Sequence, residues 1–509
     1  MSTKSTGRAI VSHTFSLQMR GVSLLLLSLF LLSCAFQPNA MLVELGLLTP
    51  TPTPDPFVHY RAALQPAAQQ DIENAGPLPR YHITTRLADG GDRLVGVMEV
   101  VVPAPGPELV FRLYPNLDNY GGAMEVTAAQ INGAPVEINP LADGTAIRLD
   151  VPLVTDNSLP DLATVKLDFT VDLPRHDTAD YTLFGWDGPV LSLPGFYPTL
   201  AVQQEGEWVL EQPPKHGDVL FNEAALYQLD ISLPVDMLVA ASGVTLNVID
   251  NPGDNSRTWQ IAGGPLRDMT VIAGPFQAVS EIAAGTTVTA YYLAGHEAAA
   301  QSALAHAAAS LRLYSDTYGA YPYTELDLVE APLNYRGMEY SGLILIGEDL
   351  YREQREFLTF LVAHEVAHQW WYGVVGNDPY RSPWLDEGLT EYSAFDYYRG
   401  VFGQSAAEEL LTGRWFIPFD TAAGGGVDGV ADRPAGDFDP VSYELLVYAK
   451  AALFFNALRE ELGEETYRRV LQTYYAENRY RIASPDIFLA TAERVSGRNL
   501  GPLVEKWLR

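Results

Sequence analysis

The sequence predicts a multidomain α+β protein, and three observations predict it. From about residue 80 to 293 short alternating or apolar runs are punctuated by Gly, Pro and Asp; from about 294 to 509 apolar residues recur mainly at helical spacing; and the 509-residue chain is long enough for two or three domains with sizeable cores.

The amino terminus comes first. Lys4, Arg8 and Arg20 precede the uncharged stretch Gly21 to Ser33, which is too short to span a bilayer as a helix but suits the hydrophobic region of a secretory signal. Met19-Arg20 followed by the apolar run would make a compact signal by itself. The chain has 1 Cys, so structural disulfides are excluded. Residues 1–34 are therefore expected to be a signal region. Residues 35–78, which include Thr49-Pro50-Thr51-Pro52-Thr53-Pro54, are expected to form an extended Thr/Pro-rich linker. A formal net charge of −31 argues against nucleic acid as a partner and against electrostatic adhesion to anionic lipid.

Residues 79–293 are expected to be an all-β domain. Its strands are predicted at Tyr81 to Leu87, Leu94 to Val102, Val165 to Leu173, Tyr227 to Leu233, Met269 to Ala273 and Thr287 to Leu293. Residues 294–509 are expected to be mainly helical. A helix opens at His296 and runs to about Tyr318, strands are predicted at Leu326 to Val329 and Leu343 to Ile346, and later helices cover Tyr448 to Leu462, Glu464 to Ala476 and Pro485 to Val495.

The chemistry concentrates in His364-Glu365-Val366-Ala367-His368, within the apolar run Phe357 to Trp371. On a helix, residues four apart share a face, so both imidazoles can converge on one ion while Glu365 is displaced toward its open side. Zinc wants a third protein ligand and an open position for water. After a loop containing Gly376, Pro379 and Pro383, a second helix opens at about Trp384, and its Glu387 is the chosen third ligand, with 18 residues between it and His368. Glu391, one turn further on, is a candidate to orient a liganding imidazole. His296-Glu297 lacks a second histidine at position 300, and His59, His82, His176, His216 and His306 are isolated and read as surface or loop residues.

These residues resemble the gluzincin aminopeptidases related to aminopeptidase N, in which the interval after the paired histidines leads to a liganding Glu within a segment like Asp386-Glu387-Gly388. Two further segments carry the resemblance. Arg336-Gly337-Met338-Glu339-Tyr340 resembles the family's Gly-any-Met-Glu-Asn strand, departing from it at Arg336 and Tyr340. The resemblance implies that Gly337 and Met338 lie along the substrate backbone and that Glu339 receives its free amino terminus. A buried carboxylate awaiting an ammonium discriminates an N-terminus from an internal bond, since an unpaired charge there is costly. Tyr448-Ala449-Lys450-Ala451 resembles the family's Tyr-any-Lys-Gly, implying that Tyr448 donates to the oxygen of the tetrahedral intermediate, with Tyr443 as a weaker supporting candidate.

The resemblance further implies a saddle-shaped β domain followed by a thermolysin-like catalytic domain, one zinc ion per chain held by His364, His368 and Glu387, and Glu365 as general base and then acid. The family's Phe-Pro-Cys-any-Asp stretch is not found; Gly195-Phe196-Tyr197-Pro198 and Gly217-Asp218 occupy its region, so the residue assisting Glu339 is unassigned. Many relatives continue into a helical domain that roofs the site, and its absence here would leave a more open cleft. Leu31-Leu32-Ser33-Cys34 looks like a bacterial lipoprotein box with Cys34 as the lipidated residue, which implies an extracytoplasmic, membrane-anchored protein, or a secreted one if Cys34 is not lipidated. The expected function is a zinc aminopeptidase acting on peptides with a free N-terminus. A zinc endopeptidase and a non-catalytic peptide-binding lipoprotein are the alternatives.

Overall fold

The computed structural model describes residues 55–154, 158–176, 184–333, 336–352 and 355–509. The predicted signal region, Cys34 and the Thr-Pro repeat lie outside the described residues.

The α+β class predicted from periodicity is what the chain adopts. Its first half is built on an eight-stranded sheet in the order Val244–Asn251, Ser256–Leu266, Ala225–Pro234, Arg80–Leu87, Arg93–Pro103, Leu162–Asp172, Ala123–Ile131, Ala134–Pro135. Neighbours are antiparallel except Arg80–Leu87 against Ala225–Pro234, which run parallel. Strict alternation explains the faces: in Arg80–Leu87, Tyr81, Ile83 and Thr85 are buried while the residues between them are exposed, the pattern of a sheet with one wet face. Smaller sheets, one joining Leu238–Ala241, Val271–Gly274, Val190–Leu193, Gly185–Asp187 and Arg175–His176, complete this half.

The second half opens with a five-stranded sheet of β1 (Gln277–Ala283), β2 (Thr286–Tyr292), β3 (Glu325–Ala331), β4 (Gly337–Met338) and β5 (Leu343–Gly347), in the order β1-β2-β3-β5-β4. β2, β3 and β5 are parallel, while the edge strand β4 pairs antiparallel with β5 through Gly337↔Ile346 and Met338↔Leu345. Both faces of the parallel strands β3 and β5 are covered: β5 reads as an unbroken apolar run, while β3 buries Asp327 and Glu330 among its apolar residues. Four helices build the site against this sheet: α1 (Glu297–Thr317), α2 (Arg355–Ala367), α3 (Trp384–Phe402) and α4 (Pro440–Leu462).

Two expected boundaries move. The division at residue 293 cuts a single sheet, since β1 and β2 hydrogen-bond onward to β3; sequence alternation marks these strands as β but not as members of the later sheet. The linker expected to reach residue 78 stops earlier. From Phe57 onward the chain is part of the folded body, with Tyr60, Leu64 and Ile72 buried and Leu64 bridged to Tyr323.

The two halves are tied by buried polar groups. Arg267 donates to the carbonyls of Asn222, Tyr372, Val374 and Arg481. Asp268 accepts from Ser341 N and Oγ at 3.0 Å each and from Tyr372 Oη at 2.9 Å. Gly376 has to be glycine here, because a Cβ would lie 2.3 Å from the Arg267 guanidinium carbon.

Candidate metal centre

The helix that carries His364 forms where Leu358, Phe360, Leu361, Val362, Ala363, Val366 and Ala367 are all buried. It ends earlier than the apolar run suggests. His368 sits in the next turn, where Gly373, Val374 and Val375 each bond five residues back, to the carbonyls of His368, Gln369 and Trp370. Gln369 locks that turn to the strand side, accepting from Gly342 N at 2.8 Å and donating to the Tyr340 carbonyl at 3.1 Å.

Glu387 lies in the first turn of α3, where an acidic residue suits the helix dipole. The structure brings His364, His368 and Glu387 together, with their ligand atoms within 4.8 Å of one another. His364 Nε2 and His368 Nε2 are 3.1 Å apart and lie 3.4 and 3.3 Å from Glu387 Oε2. Donors about 2.0–2.1 Å from a tetrahedrally bound zinc are separated by roughly 3.3 Å, so this triangle fits zinc. Glu387 Oε2 is buried without a hydrogen-bond partner, as a ligand atom awaiting an ion would be.

The far sides of the rings are also held. His368 Nδ1 faces the Trp371 carbonyl and Thr390 Oγ1, both at 3.2 Å. His364 Nδ1 faces Glu391 Oε1 at 3.5 Å, and Glu391 is itself paired with Arg414 at 2.6 and 2.9 Å and with the Trp415 indole N–H. Such outer partners set imidazole orientation and basicity. Burial would raise the Glu387 pKa, but the facing His368 and His364 outweigh it and hold the carboxyl well below the usual range.

Glu365 points elsewhere, toward β4. Its Oε2 is buried and unpartnered, and burial pushes its pKa up to about 8. Room for this carboxyl exists only because residue 337 has no side chain: a Cβ on Gly337 would lie 1.9 Å from Glu365 Oε1 and 2.5 Å from its Cδ. Glu339 comes next on the same segment, and its carboxylate, Glu365 and His368 also approach within 4.8 Å of each other.

Tyr448 comes from α4. Asp439 caps that helix in a reciprocal box with Ser442, and Glu444–Lys450 then widens into a π-helical stretch, a distortion often found at functional sites. α4 can approach α3 closely because residue 388 is glycine: a Cβ there would meet the Ala451 Cβ at 2.6 Å. Tyr448 Oη accordingly donates to Glu387 Oε1 at 2.7 Å. The phenol thereby steadies the second oxygen of the acidic ligand. Tyr443 stacks edge-on against Tyr448 with centroids 5.8 Å apart.

Sequence reasoning missed what the first half contributes. His216, read as a surface or loop residue, lines the cavity over the metal centre, its Nε2 3.1 Å from the Ala435 carbonyl and its ring against Tyr443. Asp218 lies beside it and hydrogen-bonds Glu339, and burial raises its pKa to about 6. His306, also read as surface or loop, is half-buried between Tyr397 Oη at 2.7 Å and Thr359 Oγ1 at 3.0 Å. The only signal was the unassigned Gly217-Asp218. Arg414 and Glu444 complete the wall of this cavity of about 420 Å3. Arg336, the departure at the head of the strand motif, lays its guanidinium over Phe357 at 4.7 Å.

Two imidazoles and a carboxylate placed to hold one ion, with an unpaired carboxyl beside them, are the outfit of a metallopeptidase of the His-Glu-any-any-His class. Residues 302–507 match the model of the Peptidase family M1 domain. Aminopeptidase M1-A of Oryza sativa subsp. japonica is 27% identical over 257 residues, 47% of this chain and 29% of that protein. Aminopeptidase N of Acetobacter pasteurianus is 28% identical over 182 residues, 33% of this chain and 51% of that protein. The matches thus span about a third to a half of these relatives' lengths. The M1 zinc metallopeptidase of Deinococcus radiodurans shares the fold, with a TM-score of 0.60 at 18% identity over 85% of this chain and 93% of that one.

Proposed function

We propose that this protein is a zinc aminopeptidase that removes single residues from the free N-terminus of peptides outside the cytoplasm, attached to a membrane through Cys34. The observation that carries the peptide-end specificity is the closed space behind Glu339. Beyond the Asp218–Glu339 pair the structure leaves only about 10 Å3, walled by Tyr120, Tyr340 and Tyr372, and even one water needs roughly 10–15 Å3. A chain cannot continue past these carboxyls, which favours an exopeptidase over an endopeptidase.

A zinc ion held by His364, His368 and Glu387 would polarise the scissile carbonyl and acidify a water molecule. Glu339 and Asp218 bind the substrate ammonium and set the register, so that the first peptide bond lies over the paired imidazoles. The unpaired backbone edge of β4 at Gly337 and Met338 aligns the substrate as an added strand. Glu365 takes the proton of the attacking water on its carboxylate and returns one to the leaving amine. Tyr448 swings its hydroxyl from Glu387 Oε1 to the carbonyl oxygen as negative charge develops there. Glu391, held by Arg414, keeps the His364 ring in place.

The test is digestion of defined peptides by the zinc-loaded protein, read by mass spectrometry. Stepwise loss of N-terminal residues is expected, abolished by acetylating the amine or by Glu365→Gln, with zinc retained in that variant. Internal cleavage of the acetylated peptide would overturn the reading. Labelling by a metabolic fatty acid that is lost in Cys34→Ala tests the anchor.

A further inference from the structure

The metal cavity opens sideways into a second, larger space. This basin holds about 920 Å3, a size at which whole ligands of about 300–1,000 Å3 are bound. The two spaces share Phe357, Phe360, Arg414, Glu444 and Tyr448. They are continuous, and the shared residues lie away from the Asp218–Glu339 end, which is closed. With its amine at that end and its first carbonyl over the imidazoles, a peptide has this basin as its way out.

The chemistry of the walls is apolar. Tyr398, Leu410, Trp415, Pro418, Leu445 and Ala449 line them, and Val441 stands 71% exposed beside them. Both π-helical stretches among the described residues, Leu411–Phe416 and Glu444–Lys450, border this one space. The basic group at the junction is already spent: Arg414 is paired twice with Glu391 and packs on the Phe360 ring at 4.0 Å. It therefore serves as a wall rather than as a receptor for a substrate carboxylate.

We propose that the basin binds apolar side chains of the substrate downstream of the scissile bond, so that the protein selects peptides of several residues carrying aliphatic or aromatic groups at their second to fourth positions. This rests on the aminopeptidase reading for its direction, and the leaving-group side of the peptide is the occupant it commits to. An apolar wall of this extent, exposed and joined to a charged centre, gains most from a ligand that covers it.

The experiment uses zinc-loaded full-length protein in two forms, native for turnover and Glu365→Gln for binding, with the peptides Ala-Leu-Phe-Leu-Gly and Ala-Gly-Ser-Gly-Gly. The expected result is at least tenfold higher kcat/KM and at least tenfold tighter binding for the first. Both ratios should fall to within about threefold of unity in Val441→Asp and Gly413→Glu, the latter placed where a side chain meets open space. Equal binding of the two peptides by the unsubstituted basin overturns the inference, as does a concentration-dependent dimer that Val441→Asp dissolves, since a second copy would then be the occupant. Preferential binding without cleavage by the native protein sustains the basin's role and overturns the aminopeptidase reading instead.

Discussion

Replacing Gly337 by alanine should disable the Glu365 carboxylate without emptying the metal centre. The new methyl would be built 1.9 Å from Glu365 Oε1, so the oxygen must retreat by about 1.5 Å to reach the 3.4 Å of ordinary contact. Misplacing a reacting group by about 1 Å costs on the order of 10²-fold in rate. Because the colliding atom ends a side chain and is not backbone, the fold can absorb the methyl with little change in melting temperature. The assay is kcat/KM on an unblocked peptide, with zinc content measured on the same sample. A drop of about 10²-fold with one zinc per chain is expected. Adding Gly337→Ala to Glu365→Gln should then cost no more than about threefold, since both substitutions remove the same group. Activity within threefold of native for the single variant, or full additivity in the double, would refute the idea that an absent side chain makes room for the base.

Zinc should raise the melting temperature of the chelator-treated protein, by an amount corresponding to about 4 kcal/mol at a thousandfold excess over Kd; His368→Ala should abolish the rise, as scanning fluorimetry can check. Glu391→Gln removes the negative charge facing His364 and Arg414 and puts an amide N–H₂ where one of the two accepting oxygens was. Zinc affinity should fall about 10–100-fold and stability by about 3 kcal/mol, the low end for breaking a buried pair because the Arg414 side chain is 24% exposed; competition with a chelator and urea melts read the two effects. Tyr448→Phe should keep zinc while lowering kcat by about 10²–10³ if the phenol meets the developing charge; unchanged kcat would leave it only its bond to Glu387. Asp218, whose pKa burial raises to about 6, is ionised above that pH and neutral below it. KM for unblocked peptides should therefore rise as pH falls through about 6, and Asp218→Asn should flatten that rise in KM measured against pH.

The parts of the centre that were legible are those written in local spacing. His364, His368 and Glu387 announce themselves through helical periodicity and a short interval, and the strands around Tyr81, Leu94 and Leu343 through alternation. Asp218 and His216 were hidden because they reach the cavity from the segment between Trp208 and Ala225, where no strand or helix forms to give a repeating pattern. Glu391 could be suspected from its place one turn beyond Glu387, but its hold by Arg414 depends on a contact 23 residues away. The end of the zinc helix before His368 was equally invisible, since apolar burial continues through Trp370 and Trp371 while the backbone bonds change their span. Alternation also could not say which sheet β1 and β2 would join, because pairing partners are chosen by the tertiary fold.

The grip of Arg267 on four carbonyls, three of them from the metal-bearing half, leaves no seam along which that half could be lent to another chain. A cut that parts residue 267 from residue 372 would strand a cation in one fragment and bare oxygens in the other. Either piece alone would have to leave buried polar groups without their counterparts, so the two are expected to unfold together.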